Sequence, residues 1–257
     1  MGDDIDGKDE SSLSDTQITF FVTGFGPFGG FEENPTSTII QSLKEEQTAQ
    51  NPRLCNVDML EVVRVAASSA TEEVNRIIEH VKSSAHNNPS PGQNKHAIII
   101  HFGVNHMKGQ KKMFQLEQNA FNQANFRIPD EDGFKPQNEE ISESQPLRHR
   151  LSTDLNALRI KNHLAKKGFE VGLSDDAGRF VCNYIYWSSL HKVQEEKNSS
   201  DVDDIDIHVM FVHVPRFDDI SKETQVEFSI ELLDSIEEAI LAKDNNDMKQ
   251  ERQKAST

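Results

Sequence analysis

The chain has 257 residues, enough for one α/β domain with a sizeable core. Lys and Arg number 27 against 43 Asp and Glu, and the resulting net charge of −16 gives no electrostatic attraction to nucleic acid or anionic lipid. No apolar run approaches a membrane span, and two cysteines, Cys55 and Cys182, make no disulfide framework.

Residues 1–16 carry six acids and one lysine without apolar pattern, and read as a disordered acidic tail. They lack the basic and apolar regions of a signal peptide, and Asp6 breaks a myristoylation motif, so a reduced cytoplasmic setting is expected. On that ground the glycosylation sequon Asn198-Ser199-Ser200 reads as chance. "QITFFVTG" reads as a buried strand leading into a glycine-rich loop. A helix is expected from about Thr36, and a second strand over 56–65. Ser69 with Glu72 reads as a capping box for the next helix. "HAIIIHFGV" (96–104) is apolar on both faces, as strands of a helix-covered parallel sheet are. Residues 105–150 are irregular and rich in Asn, Gln and Pro, and stretches of that length are functional or disordered. A helix over 152–168, a short strand over 169–174 and a helix starting near Ala177 or Gly178 follow. The segment 194–206, again six acids and one lysine, reads as a loop. A strand over 207–214, an amphipathic helix over 222–243 and a polar tail over 244–257 complete the chain. The alternation predicts one α/β domain over 17–243, a three-layer α/β/α sandwich around a mostly parallel twisted sheet.

Gly24, Gly26 and Gly29 spell G-x-G-x-x-G after the first strand, where a dinucleotide loop would sit. That reading fails on context. Pro27 lies inside the motif, Gly30, "FEEN" and Pro35 precede any helix, and no acid ends the second strand. The loop offers instead two rings, Phe25 and Phe28, at a strand's carboxyl end, where open α/β sheets bind ligands. They either sandwich a small flat ligand or plug the sheet end.

Cys182 falls in the first turn of its helix, where the macrodipole and free N–H groups favour a thiolate. Cys55 lies outside any motif and reads as a small buried hydrophobe. His213 ends the strand "VMFVHVP" at the same sheet edge, and Glu117 in "FQLEQNAFN" supplies an orienting acid.

Four blocks, "VTGFGPFGGFEENPTS", "LEQNAFNQANFRIPDEDGF", "SDDAGRFVCNYIYW" and "FVHVP", appear in the order found in pyroglutamyl peptidase I, which the chain resembles over 19 to about 243. The resemblance implies a cysteine peptidase that removes N-terminal 5-oxoproline, with a catalytic triad Glu117, Cys182 and His213. It implies that Phe25 and Phe28 flank the lactam, that Arg127 helps stabilise the oxyanion, and that Asn34 orders the substrate-binding loop. The implied fold is the sandwich shared with purine nucleoside phosphorylases. The implied partners are peptides capped by pyroglutamate; a homo-oligomer is compatible, and neither nucleic acid nor membrane is expected. No cofactor is implied, and no His/Cys cluster has zinc spacing. The segment "NHMKGQKKMFQL" is about three residues longer than the family pattern, which leaves Gln110 and Gln115 without an assigned lactam contact. A lactam-binding protein without turnover and a phosphorylase-like enzyme remain the alternatives.

Overall fold

A computed structural model of the chain describes residues 16–29, 33–87, 94–105, 112–198 and 205–255. The strands are β1 (Thr16–Phe25), β2 (Val57–Val63), β3 (Asn94–Val104), β4 (Phe114–Glu117), β5 (Asn119–Phe121), β6 (Ala124–Asn125), β7 (Gln137–Glu139), β8 (Arg150–Ser152), β9 (Val171–Ser174) and β10 (Asp206–Val214). The helices are α1 (Pro35–Thr48), α2 (Ala67–Asn87), α3 (Ala157–Lys166), α4 (Val181–Lys197) and α5 (Lys222–Ala255). The main sheet has the order β2-β1-β3-β10-β4-β9, and two small ribbons pair β5 with β8 and β6 with β7. All pairings in the main sheet are parallel except that of β10 with β4.

The central strands are largely apolar on both faces because both faces are covered. Phe20, Val22, Ile98, Ile100, Met210 and Val212 face one cluster with Ile39 of α1, Ile160 of α3 and Phe228 of α5. Phe21, Ile99, Val209 and Phe211 face the other with Val74 and Ile78 of α2 and Ile185 of α4. The alternation follows the period of two along a strand. Truncating Ile99, which is fully buried, to Ala would cost about 2–5 kcal/mol. The three-layer α/β/α architecture therefore stands as expected.

Several boundaries differ. Ser69 lies inside α2 and caps nothing, because the helix starts at Ala67. Its start is bound from a distance: Ala67 N–H, in the first turn, donates to Asp130 Oδ2 at 2.9 Å, and Val65 N–H, two residues before the helix, donates to Glu131 Oε2 at 3.0 Å. The stretch 112–150 is ordered by polar side chains in place of an apolar pattern. Asn122, fully buried, accepts from Ile141 and Ser142 N–H and donates to Ser142 and Gln145 carbonyls. Helix α4 begins at Val181, three or four residues later than expected, and continues to Lys197 into the acidic segment. Thr16 opens β1, while the rest of the acidic tail lies outside the described residues. The residues expected to form a polar tail extend α5 to Ala255, and Asp244 among them is buried. Cys55, expected to be buried, is exposed at the end of a 3-10 turn over Pro52–Leu54. Among the described residues no helix is long and apolar enough to cross a membrane.

Candidate active site

The chain runs from β1 outward to β2, then crosses back to β3 on the other side of β1, so the crevice above β1 and β3 is a topological switch point. Three chemical groups converge on this edge. Gly103 lies near the end of β3, His213 near the end of β10, and Cys182 is the second residue of α4. A Cβ at Gly103 would stand 3.0 Å from Cys182 Sγ and 2.6 Å from the Phe211 ring. Only a glycine lets the thiol sit so close to the strand.

Glu117 reaches the histidine through sheet register. β4 runs against β10 with Glu117 opposite Phe211 and Gln115 opposite His213, so Glu117 and His213 are diagonal neighbours on one face. Glu117 Oε1 lies 2.7 Å from His213 Nδ1, with both residues buried. Tyr186 of α4 donates its hydroxyl to the Glu117 carbonyl at 2.8 Å, which fixes the backbone that carries the acid. Burial alone would push the His213 pKa down. Hydrogen bonds to Cys182 and to Glu117, with their negative charges, outweigh it and raise the pKa from 6.5 to about 10. The site thus favours the protonated imidazole.

The start of α4 carries no side-chain cap, in contrast to α1 and α3, which Asn34 and Asn156 cap. Among the described residues no side chain accepts from the amides of Val181, Cys182 or Asn183. These donors sit beside the thiol, where an oxyanion would form.

The glycine loop closes on the same place. Gly24 is a packing residue: a Cβ there would meet the Thr36 carbonyl oxygen at 2.7 Å, so glycine lets α1 approach β1. Asn34 Nδ2 donates to the Gly26 carbonyl at 2.8 Å, while Asn34 Oδ1 accepts from Thr36 N–H at 3.0 Å. Thr36 Oγ1 in turn accepts from Phe25 N–H at 2.8 Å. Phe25 is buried in the core cluster at 5% exposure. Phe28 is half-buried, and its ring centroid lies 5.5 Å from that of Phe180, the residue preceding α4. Phe126 packs edge-on against Phe180 at 4.7 Å, which brings the neighbouring Arg127 to this side of the molecule. Arg127 itself is exposed and has no ion pair among the described residues. The structure thus brings Glu117, Cys182, His213 and Phe28 to one edge, and Phe25 and Asn34 support that edge from beneath. Gln115 accepts from the Asn105 side chain; Gln110 lies outside the described residues.

The profile of the pyroglutamyl peptidase family matches residues 18–242. The chain belongs to the pyroglutamyl peptidase family. It is a cysteine peptidase by that membership. It is 29% identical over 194 residues to the pyrrolidone-carboxylate peptidase of Thermococcus litoralis, covering 76% of this chain and 74% of that one. The Pyrococcus furiosus enzyme of the same name is 29% identical over 171 residues, covering 66% of this chain and 71% of its own. The solved pyrrolidone carboxyl peptidase from Thermococcus litoralis superposes with a TM-score of 0.68 at 25% identity, covering 89% of this chain and 96% of that one. Pyroglutamyl peptidase I of Bacillus amyloliquefaciens shares the fold, with a TM-score of 0.66 at 22% identity, over 86% of this chain and 96% of that one.

Some residues that build the family site here carry no sequence signal. Asn183, next to the thiol, donates to the carbonyls of Phe121 and Gln123 and accepts from Phe121 N–H, which clamps β5 onto α4. His101 bridges Thr23 Oγ1 at 2.7 Å and Ser189 Oγ at 2.8 Å, and burial pushes its pKa to about 3, so it stays neutral. Only the fold joins such distant positions. Asp130, which lies in the "IPDEDGF" block, likewise reaches the start of α2 only through the fold.

Proposed function

We propose that this peptidase removes N-terminal pyroglutamate from peptides through a thioester on Cys182. The observation that carries the reading is the buried Glu117–His213 pair acting on a thiol at an uncapped helix start. Cys182 thiolate attacks the carbonyl that joins 5-oxoproline to the next residue, and the C–N bond breaks as His213 gives its proton to the leaving amine. Glu117 keeps the imidazole in the tautomer that presents Nε2 to the reaction and stabilises its charged form. The first amides of α4 receive the oxyanion, with Arg127 adding positive charge from the exposed side. A water then gives its proton to His213 and its oxygen to the acyl carbon, releasing 5-oxoproline and restoring the thiolate–imidazolium pair.

A lactam-capped terminus carries no ammonium group, so its pocket needs shape and apolar contact in place of a carboxylate. Phe28, held against Phe180 at the mouth of α4, suits one face of such a ring. Phe25 acts from below by fixing the loop. The test is hydrolysis of a fluorogenic pyroglutamyl amide beside the prolyl and glutaminyl amides. The reading expects turnover of the lactam alone. Phosphate-dependent cleavage of a nucleoside, or binding of the lactam without turnover, would replace it with one of the other two readings.

A further inference from the structure

The opposite end of the sheet carries a cluster that the peptidase chemistry does not use. Asp206 opens β10 and pairs across the strands with His96 of β3. His208 follows two residues on, so all three side chains share one face, the face opposite that of His213. At about 3.3 Å per residue His208 lies roughly 17 Å along the strand from His213. His96 and His208 are 4% and 3% exposed, while Asp206 is exposed.

The tautomers of the two rings are fixed by their surroundings. His96 Nε2 lies 3.1 Å from Asp244 Oδ2, and His208 Nδ1 lies 2.8 Å from Asp154 Oδ1. Ionised carboxylates only accept, so both of these nitrogens carry the N–H. The remaining nitrogens, His96 Nδ1 and His208 Nε2, then face each other at 3.1 Å as two lone pairs. Something positive must lie between them, either a shared proton or a metal ion. One ligand atom from each of His96, Asp206 and His208 lies within 4.8 Å of the others. Two nitrogens on a tetrahedral zinc stand about 3.3 Å apart, given Zn–N distances of about 2.0–2.1 Å. A carboxylate behind each ligating imidazole is the arrangement that orients histidines on metals. The ring centres are 5.4 Å apart and nearly in line, so each imidazole must turn by roughly 35° to aim its lone pair at one tetrahedral ion. Asp206 is exposed, so an ion can reach the cluster from solvent.

We propose that His96 Nδ1, His208 Nε2 and an Asp206 carboxylate oxygen bind a divalent metal ion of the zinc class, with water completing a tetrahedron. Two imidazoles and one carboxylate form a borderline donor set that prefers zinc, cobalt or copper over magnesium and calcium. The ion joins β3 to β10. Through Asp244, which also accepts from Thr16 and Asn94, it holds the extension of α5 against the sheet. Its role is structural and independent of the peptidase reading.

The test uses the full chain with Cys55→Ala and Cys182→Ala, so that no thiol competes, stripped with chelator and desalted. Zinc titration should saturate near one equivalent and raise the melting temperature, and cobalt should give the visible absorption of a four-coordinate site. Asp206→Asn, at an exposed position that leaves the core intact, should weaken zinc binding at least about tenfold, and Asp154→Asn about 10–100-fold. His208→Asn should abolish it. Absence of saturable zinc binding in the parent would overturn the proposal and leave a shared proton between the rings. So would zinc binding unchanged in both Asp206→Asn and His208→Asn.

Discussion

Glu117 Oε1 and His213 Nδ1 stand 2.7 Å apart as diagonal neighbours on two antiparallel strands of an otherwise parallel sheet. The reversed strand is what places an acid under the histidine. Glu117→Gln keeps the shape but can present its amide N–H to Nδ1, which favours the wrong tautomer. The variant leaves the buried imidazolium with less support, so its melting temperature at neutral pH should fall, and kcat should fall further, by roughly 10²–10⁴-fold in the folded fraction. Unchanged kcat would remove Glu117 from the mechanism.

The charged histidine also makes a pH prediction. Its folded-state pKa of about 10 lies above the ordinary 6.5, so its protonation stabilises the fold fully below about pH 6.5. That contribution is lost as the pH climbs through about 10. The wild-type melting temperature should therefore fall across this window. In Cys182→Ala the thiol's support of the charged ring is gone, so the folded-state pKa drops and the fall, starting from the same unfolded value near 6.5, should be smaller and end at lower pH. Coincident melting profiles for the two proteins would show that thiol and imidazole are not coupled.

Gly103→Ala tests the seat of the thiol. The new methyl would enter the space of Cys182 Sγ and of the rigid Phe211 ring. Overpacking of this kind costs about 1–3 kcal/mol of stability. Because the displaced atom is the nucleophile, kcat should fall much further than folding does, at least about 100-fold in the folded fraction. Activity that tracks the folded fraction alone would place the thiol elsewhere.

The two loop phenylalanines should separate. Phe25→Ala empties a core position and should cost about 3–5 kcal/mol of stability. Phe28→Ala should leave melting nearly unchanged and raise KM by roughly 10–200-fold, the worth of one apolar face of a small ligand. The reverse pattern, KM responding to Phe25 and stability to Phe28, would exchange their roles.

The sequence made the sheet legible because β1, β3 and β10 are apolar runs bounded by glycine or proline, and the site legible because Phe28, Glu117, Cys182 and His213 stand in specific blocks. It hid what depends on contacts between distant residues. The start of α2 is bound by Asp130, so a local Ser-x-x-Glu misled. The order of 112–150 rests on Asn122 and Asn183, whose bonds leave no periodicity. The extension of α5 past residue 243 is anchored by Asp244 against His96, which a polar composition conceals. Cys55 lacks any pattern that distinguishes an exposed turn from a core position.

The central claim is that Cys182 is the nucleophile toward a pyroglutamyl carbonyl. Because Cys55 is exposed and would also be alkylated, the decisive measurement uses Cys55→Ala. Its hydrolysis of a pyroglutamyl amide is followed before and after iodoacetamide, with peptide mapping of the adduct. The account predicts full activity before treatment, complete loss in step with carbamidomethylation of Cys182, and protection by excess substrate. Hydrolysis that survives full modification of Cys182 would contradict it.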